Sequence, residues 1–286
     1  MNLDRIYLDG NFGEWNQLCC LSDLHFGSQA CDKSKLINYL DEAVEKKARI
    51  LIIGDIFDLL LPKDMKRFKL SVLDDFLKDK DDIINTVVNE FYKLMQPYIH
   101  LIDLISLGNH EDDLIKYHSI NPIYLVVEKM NQYLKEKKIN HKVIHGGYIG
   151  YLQYVIKLDH SQNGSTGSCF NILYFHGKGG EAPVSKGMID INRMKANFLY
   201  DLHLFGHKHN LFADSSLSVI PSSNGIVSFR PCKAVQCGTF HKTYNKKDVG
   251  NVSFAERSGF APKETGGSFV KFRWDRQKKL EIRAEV

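Results

Sequence analysis

The sequence predicts an α/β layered fold, and three observations carry that expectation. Short apolar runs of strand length recur through the first two hundred residues. Amphipathic stretches of helical length fill the gaps between them, and the runs end beside glycines, acids and histidines. Buried strands alternating with helices are the pattern of sheets covered by helices.

Taken in order, QLCCLSD (17–23) reads as a buried strand. KSKLINYLDEAVEKKA (33–48) reads as a helix. RILIIGD (49–55) is again a strand. DDIINTVVNEFYKLMQPY (81–98) is helical, HLIDLISLGN (100–109) returns to strand, and NPIYLVVEKMNQYLKEKK (121–138) is a helix opened by a proline in its first turn. After Asn140 the texture becomes strand-rich: HKVIHGGYIGYLQYVIKLDH (141–160) and CFNILYFHG (169–177) flank SQNGSTGS (161–168), which has the composition of a hairpin loop. SKGMIDINRMKANFLYDL (185–202) is the last helical stretch. From Leu211 onward β- and turn-rich sequence dominates, ending in a closing hairpin over 267–286. No repeat or long linker interrupts the chain, so a single domain over 1–286 is expected. It carries an insertion near 60–81 and a basic, β-rich C-terminal segment over 230–286.

The composition, 43% hydrophobic and 25% charged over 286 residues, is that of an ordinary globular protein. No segment approaches the roughly 20 apolar residues that span a bilayer, and MNLDRIYLDGNFGEWNQ has no apolar signal core. A cytoplasmic protein with no membrane partner is therefore expected. The six cysteines include no CxxC pair and are read as reduced thiols without a function. Charge is uneven: from Arg230 to the C-terminus there are 13 Lys and Arg against 6 Asp and Glu, which favours an anionic partner.

The chemistry-bearing residues collect at the carboxyl ends of the expected strands, where open α/β sheets bind ligands. SDLHFG supplies Asp23 and His25, GDIFD supplies Asp55 and Asp58, and GNHE supplies Asn109, His110 and Glu111. FHG supplies His176, and GHKH supplies His207 and His209. In an extended segment residues i and i+2 face one side, so His207 and His209 can aim at one spot. Mixed imidazole and carboxylate donors suit Mn, Fe, Zn, Co or Ni rather than Ca or Cu. His100 and His203 lie in or beside apolar runs, and His118, His141, His145 and His160 match no motif.

The ordered set D-x-H, G-D-x-x-D, G-N-H-E, H and G-H-x-H, between Ser22 and His209, resembles the calcineurin-like metallophosphoesterase superfamily. The resemblance implies a four-layer α/β/β/α sandwich with two mixed β-sheets, and a dinuclear centre of two divalent cations, Mn foremost, with Fe, Zn, Ni or Co as alternatives. It implies that Asp23, His25 and His209 bind one cation, that Asn109, His176 and His207 bind the other, and that Asp55 bridges them. A bridging hydroxide then attacks phosphorus. It also implies that His110 serves the leaving group. Glu111 is expected to accept from the His110 imidazole, and Asp58 to orient a ligand histidine.

Within that superfamily the second motif of the protein phosphatases continues to an arginine that grips the doubly charged phosphate, whereas here GDIFD continues into Leu59. DLHFG and GDIFD look more like the repair-nuclease and phosphodiesterase side. The expected activity is thus phosphodiester hydrolysis on DNA, RNA or a nucleotide. The alternatives are a phosphomonoesterase or protein phosphatase, favoured by GNHE, and a nucleic-acid-binding protein with a vestigial metal site. In the basic tail, Lys242, Lys246, Lys247, Arg257 and Lys263 interleave with Phe240, Tyr244, Phe254 and Phe260. That composition can track a phosphate backbone and stack on bases. His241, Lys242, Arg257 and Lys263 are its candidate substrate contacts.

Overall fold

The computed structural model describes residues 3–58, 73–158, 166–180, 184–221, 225–244, 259 and 261–286. In chain order the elements are β1 (Asp4–Gly10), β2 (Asn16–Leu21), α1 (Lys33–Glu45), β3 (Arg49–Ile53), α2 (Ile83–Met95), β4 (Ile102–Ser106), α3 (Asn109–His118) and α4 (Pro122–Glu136). There follow β5 (Ile144–His145), β6 (Ile149–Leu158), β7 (Thr166–Phe175), α5 (Met188–Asn197), β8 (Leu202–Phe205), β9 (Leu211–Pro221), β10 (Val227–Cys237), β11 (Ser268–Trp274) and β12 (Leu280–Glu285).

The strands form two six-stranded mixed sheets, ordered β12-β11-β2-β3-β4-β5 and β1-β6-β7-β8-β10-β9. Side-chain alternation explains why β2 and β3 are apolar on both faces. Cys19, Leu21, Ile50 and Ile52 pack outward with Leu36 and Leu40 of α1, Val87 and Phe91 of α2, and Val126 and Met130 of α4. Leu18, Cys20, Leu51 and Ile53 point the other way, into an inter-sheet core with Tyr154, Phe170, Ile172 and Leu204 of the second sheet. On that sheet's outer face Ile191 of α5 meets Phe205 and Ala234. The layers therefore run helices, sheet, sheet, helix, as the resemblance implied.

The helices begin where local chemistry dictates. Asp32, Asp82 and Asn121 accept from the backbone N–H groups of Lys35, Asn85 and Tyr124, and Pro122 opens α4. Two elements lay outside the sequence reading. The N-terminal DRIYLDG is a strand, pairing parallel with β6, and GNHE is the first turn of α3 rather than a strand end. The expected hairpin around 161–168 is present as antiparallel β6 and β7, with Leu158 opposite Thr166, although residues 159–165 lie outside the described residues. The insertion is described only from Leu73, which bridges to Ser28 ahead of a single 3-10 turn over Asp75–Leu77. No described helix is long and apolar enough to cross a membrane.

Candidate metal centre

Parallel β2, β3 and β4 end side by side in one sheet, and parallel β7 and β8 do so in the other. Their carboxyl ends bring Asp23, His25, Asp55, Asp58, Asn109, His110, His176, His207 and His209 together. Three overlapping groups of donor atoms can hold a metal ion: Asp23, His25 and His209; His25, Asp55 and His110; and Asp55, His176 and His207. Asn109 joins the last group, its Oδ1 3.1 Å from His176 Nε2. His110, placed outside the ligand set on the sequence, has its Nε2 3.8 Å from Asp55 Oδ2.

The backbone at these positions is unusual. Asp23, His25, Asp55, His207 and His209 all have φ between 49° and 70°, the left-handed region that side-chain-bearing residues seldom adopt. Such strain persists only where surrounding contacts over-determine it, and it concentrates at functional sites. Close packing fixes it here. A Cβ on Gly108 would fall 2.2 Å from Asp55 Oδ1, and one on Gly206 would fall 2.1 Å from Ser22 Oγ. Gly206 is thus required for close approach.

Donor chemistry fits divalent cations. Asp23 Oδ2 accepts from the Ser22 hydroxyl and from the His207 backbone N–H at 2.8 Å. Its Oδ1 is buried without a hydrogen-bond partner and lies 3.1 Å from His209 Nε2. His25 Nε2 and His209 Nε2 face each other at 3.2 Å, as two imidazoles aimed at one point do. Burial alone would protonate the Asp55 carboxylate, but His110 and His176 hold its pKa far below the usual carboxylate range. Burial likewise disfavours charge on His110 and His176, yet Asp55 and Asp58 together lift His110 to about 10, and Asp55 and Asp23 together lift His176 to about 9. For His207, burial and the neighbouring His176 lower the pKa.

Glu111 corrects an expectation. Its carboxylate accepts from the backbone N–H groups of Asp55 (3.1 Å), Phe57 (2.9 Å) and Gly108 (2.8 Å), so both oxygens are committed to the backbone. Its position in the first turn of α3 aims it back beneath the strand ends, away from the expected imidazole contact. Asp58 takes the place beside His110 instead, with Oδ1 3.2 Å from His110 Nδ1 and Oδ2 3.6 Å from His25 Nδ1.

The candidate substrate residues divide. His241 comes up against the site, its ring 4.9 Å from that of His25. The Lys263 ammonium donates to Asn210 Oδ1, one residue past His209. Lys242, expected at the substrate, pairs with Asp32 at 3.2 Å, where it supports the cap of α1. Arg257, with Lys246, Lys247, Phe254 and Phe260, lies outside the described residues.

Sequence reasoning missed Lys208 and Tyr148. Lys208 is buried, and its ammonium donates to the carbonyls of Lys178, Gly179 and Gly180 at 2.8–3.0 Å. The same Gly179 carbonyl lies 3.0 Å from His207 Nε2. The variable position of G-H-x-H was the available signal. The Tyr148 hydroxyl donates to the Gly177 carbonyl, and its ring lies 5.4 Å from that of His176.

A layered α/β fold with carboxylates and imidazoles converging at the carboxyl edges of both sheets defines a class of metal-binding hydrolases. The chain belongs to the calcineurin-like phosphoesterase family, whose model matches residues 17–211. The chemistry of that family is metal-dependent hydrolysis of phosphoesters. No curated protein matches the sequence. Among solved structures 17 chains match. One is Vps29 of Chaetomium thermophilum, at 10% identity and TM-score 0.32, covering 94% of this chain and 92% of that one. Another is GAP50, described as the anchor in the inner membrane complex of Plasmodium, at 9% identity and TM-score 0.39, covering 94% and 84%.

Proposed function

We propose that the protein is a dinuclear metallophosphoesterase that hydrolyses phosphodiesters, with a nucleic acid or nucleotide as substrate. The observation that carries the dinuclear reading is the sharing of Asp55: it belongs to two donor groups, one with His25 and His110 and one with His176 and His207. Asp23, His25 and His209 would hold one cation, Asn109, His176 and His207 the second, and Asp55 both. Mn is the first cation to test.

When bound, such cations supply a nucleophile at neutral pH and neutralise charge on the phosphoryl oxygens. The protein's own groups do the rest. Asp58 Oδ1 lies 3.2 Å from His110 Nδ1 as an ion pair, on the ring edge opposite Nε2, which faces the donor groups. From there His110 hands a proton to the departing ester oxygen. Asp58 also stands beside His25 Nδ1 and fixes the edge that this ring presents to its group. His207 is oriented at Nε2 by the Gly179 carbonyl, which Lys208 holds in turn.

Two features support a diester rather than a monoester. The chain continues from Asp58 into leucine, so no guanidinium follows the second motif to grip a dianion. The segment over 230–286 carries excess positive charge, and His241 and Lys263 from it stand at the site. The test compares hydrolysis of bis-p-nitrophenyl phosphate and p-nitrophenyl phosphate by Mn-loaded protein, with Asp55→Asn as control. Faster, Asp55-dependent cleavage of the diester is expected. Preference for the monoester would replace this reading with a phosphatase, and cleavage of neither would remove the enzymatic assignment.

A further inference from the structure

We propose that His241 is a specificity-determining residue of this site, contacting the ester substituent of a phosphodiester that does not leave; this rests on the phosphodiesterase reading above. The family motifs end at His209, and nothing in them anticipates a histidine thirty-two residues further along the chain.

Its position is built. The backbone from Thr239 to Lys242 is stitched to the first motif and to the loop behind it. Phe240 N–H donates to the Asp23 carbonyl at 2.9 Å, Asp32 N–H to the Phe240 carbonyl at 2.7 Å, and Lys242 N–H to the Ala30 carbonyl at 2.8 Å. The Thr239 hydroxyl donates to the Asp23 carbonyl at 3.0 Å and accepts from His241 N–H at 3.0 Å. Cys31 and His241 pair as an antiparallel bridge. A strap anchored on Asp23 itself therefore fixes where His241 stands.

The side chain, by contrast, is unengaged. Among the described residues neither ring nitrogen makes a hydrogen bond, and Nδ1 is buried without a partner. The ring lies 4.9 Å from His25 and 6.1 Å from His209. Ring pairs inside the donor groups have similar spacing, 5.1 Å for His25 and His209 and 5.4 Å for His176 and His207. Yet His241 belongs to none of the three groups. It stands beside the donors rather than among them, and His25 has a second imidazole neighbour in His110, whose ring is also 4.9 Å away.

His110 shares a donor group with His25 and Asp55, His241 stands outside all three, and their tasks divide. His110, held by Asp58, serves the leaving oxygen. His241 has no carboxylate within ion-pair distance among the described residues, and suits an oxygen that stays esterified. A phosphomonoester has no such substituent; its additional oxygen is anionic and calls for a cation or a guanidinium. An imidazole with a free nitrogen meets an ester oxygen, or the sugar hydroxyl next to it, with one hydrogen bond.

The test uses the full-length Mn-loaded protein with His241→Gln and His241→Ala, the first retaining volume and polarity in case the second fails to fold. Calorimetry measures three affinities: for Mn, for diethyl phosphate and for inorganic phosphate. The expected result is an unchanged Mn affinity in both variants, with the affinity ratio of diethyl phosphate to inorganic phosphate lowered at least tenfold. In turnover, the ratio of kcat/KM for bis-p-nitrophenyl phosphate over p-nitrophenyl phosphate falls by a similar factor. A tenfold loss of Mn affinity would overturn the proposal by making His241 a ligand, and equal losses for both phosphates, or none, would overturn it as well. Wild-type protein that turns over neither ester refutes the proposed function, while the calorimetric ratio still decides the role of His241.

Discussion

In the first turn of α3 the Glu111 carboxylate is fully buried and accepts from three backbone N–H groups, two of them on Asp55 and Gly108. Burial and the nearby Asp55 raise its pKa to about 7; a hydrogen bond contributes roughly 0.5–1.5 kcal/mol, more to the charged form, and a buried donor left unpaired costs a further 1–3 kcal/mol or so. Glu111→Gln retains one acceptor oxygen and turns an amide N–H against the rest. It should destabilise the protein by about 2–3 kcal/mol in denaturant unfolding while leaving the pH dependence of turnover in place. A displaced pH profile without loss of stability would instead mean that Glu111 acts on His110. Glu111 also shows how residue type and residue role separate: GNHE names the glutamate, but the three groups it touches come from two different strand ends.

Among the elements, the turn after β8 and the segment after β7 are held together by one side chain. Lys208, between His207 and His209, reaches the carbonyls of residues 178–180, one of which also meets His207 Nε2. Lys208→Met removes those donors and frees the carbonyl that orients His207. Mn affinity should fall about tenfold, as for other residues that orient metal-binding histidines; calorimetry showing unchanged affinity would make the lysine a packing residue only. β8 itself carries a second testable group. His203 is fully buried, and burial, reinforced by the nearby Lys195, lowers its pKa to about 4. The folded state thus prefers the neutral ring, and the unfolded chain takes up a proton first, near pH 6.5. Stability from this residue is complete above about pH 6.5 and is lost as pH falls toward 4, with no further loss below. The whole effect is about 3 kcal/mol, because each tenfold difference in proton affinity between the two states corresponds to about 1.4 kcal/mol. His203→Leu should therefore show a fall in urea-unfolding stability from about pH 7 to about pH 5 that is roughly 2 kcal/mol smaller than that of the wild type. Equal falls in the two proteins would mean that the His203 ring is not held neutral.

For the molecule as a whole, the candidate centre joins the two sheets. Asp23, His25, Asp55 and Asn109 follow strands of one sheet, and His176, His207 and His209 follow strands of the other. Any cation bound across them binds the folded state and not the unfolded chain. At a Mn concentration of about 100 Kd the linkage amounts to about 2.7 kcal/mol per site. In a chain of this length that is a rise in Tm of roughly 5–10 °C. Chelation should reverse the rise and Asp55→Asn should abolish it; an unchanged Tm with Mn would count against a built metal centre.

Much of this protein was open to reading from its residues alone. The strands and helices of the first two hundred residues follow from periodicity, since each side chain's in-or-out direction is set by its own backbone. The motif residues are legible because each sits directly after a strand, so a local turn fixes its place at a sheet edge. The first strand was not legible: DRIYLDG has no apolar run, and only pairing with the distant β6 makes it a strand. The roles of Glu111 and Lys242 were hidden for the same reason: they carry charges whose partners are chosen by distance in space. His241 was marked only by the basic, aromatic segment it lies in, and its place beside His25 comes from the folded arrangement. Which residues can do chemistry is a property of side-chain type and local turn, and the order of amino acids settles it. Which of them meet is another matter: Asp58 with His110, Glu111 with the backbone at the end of β3, His241 with His25. Those meetings are products of the folded arrangement, because hydrogen bonds and ion pairs act over a few ångströms and the stacking of two sheets brings together segments far apart in the chain.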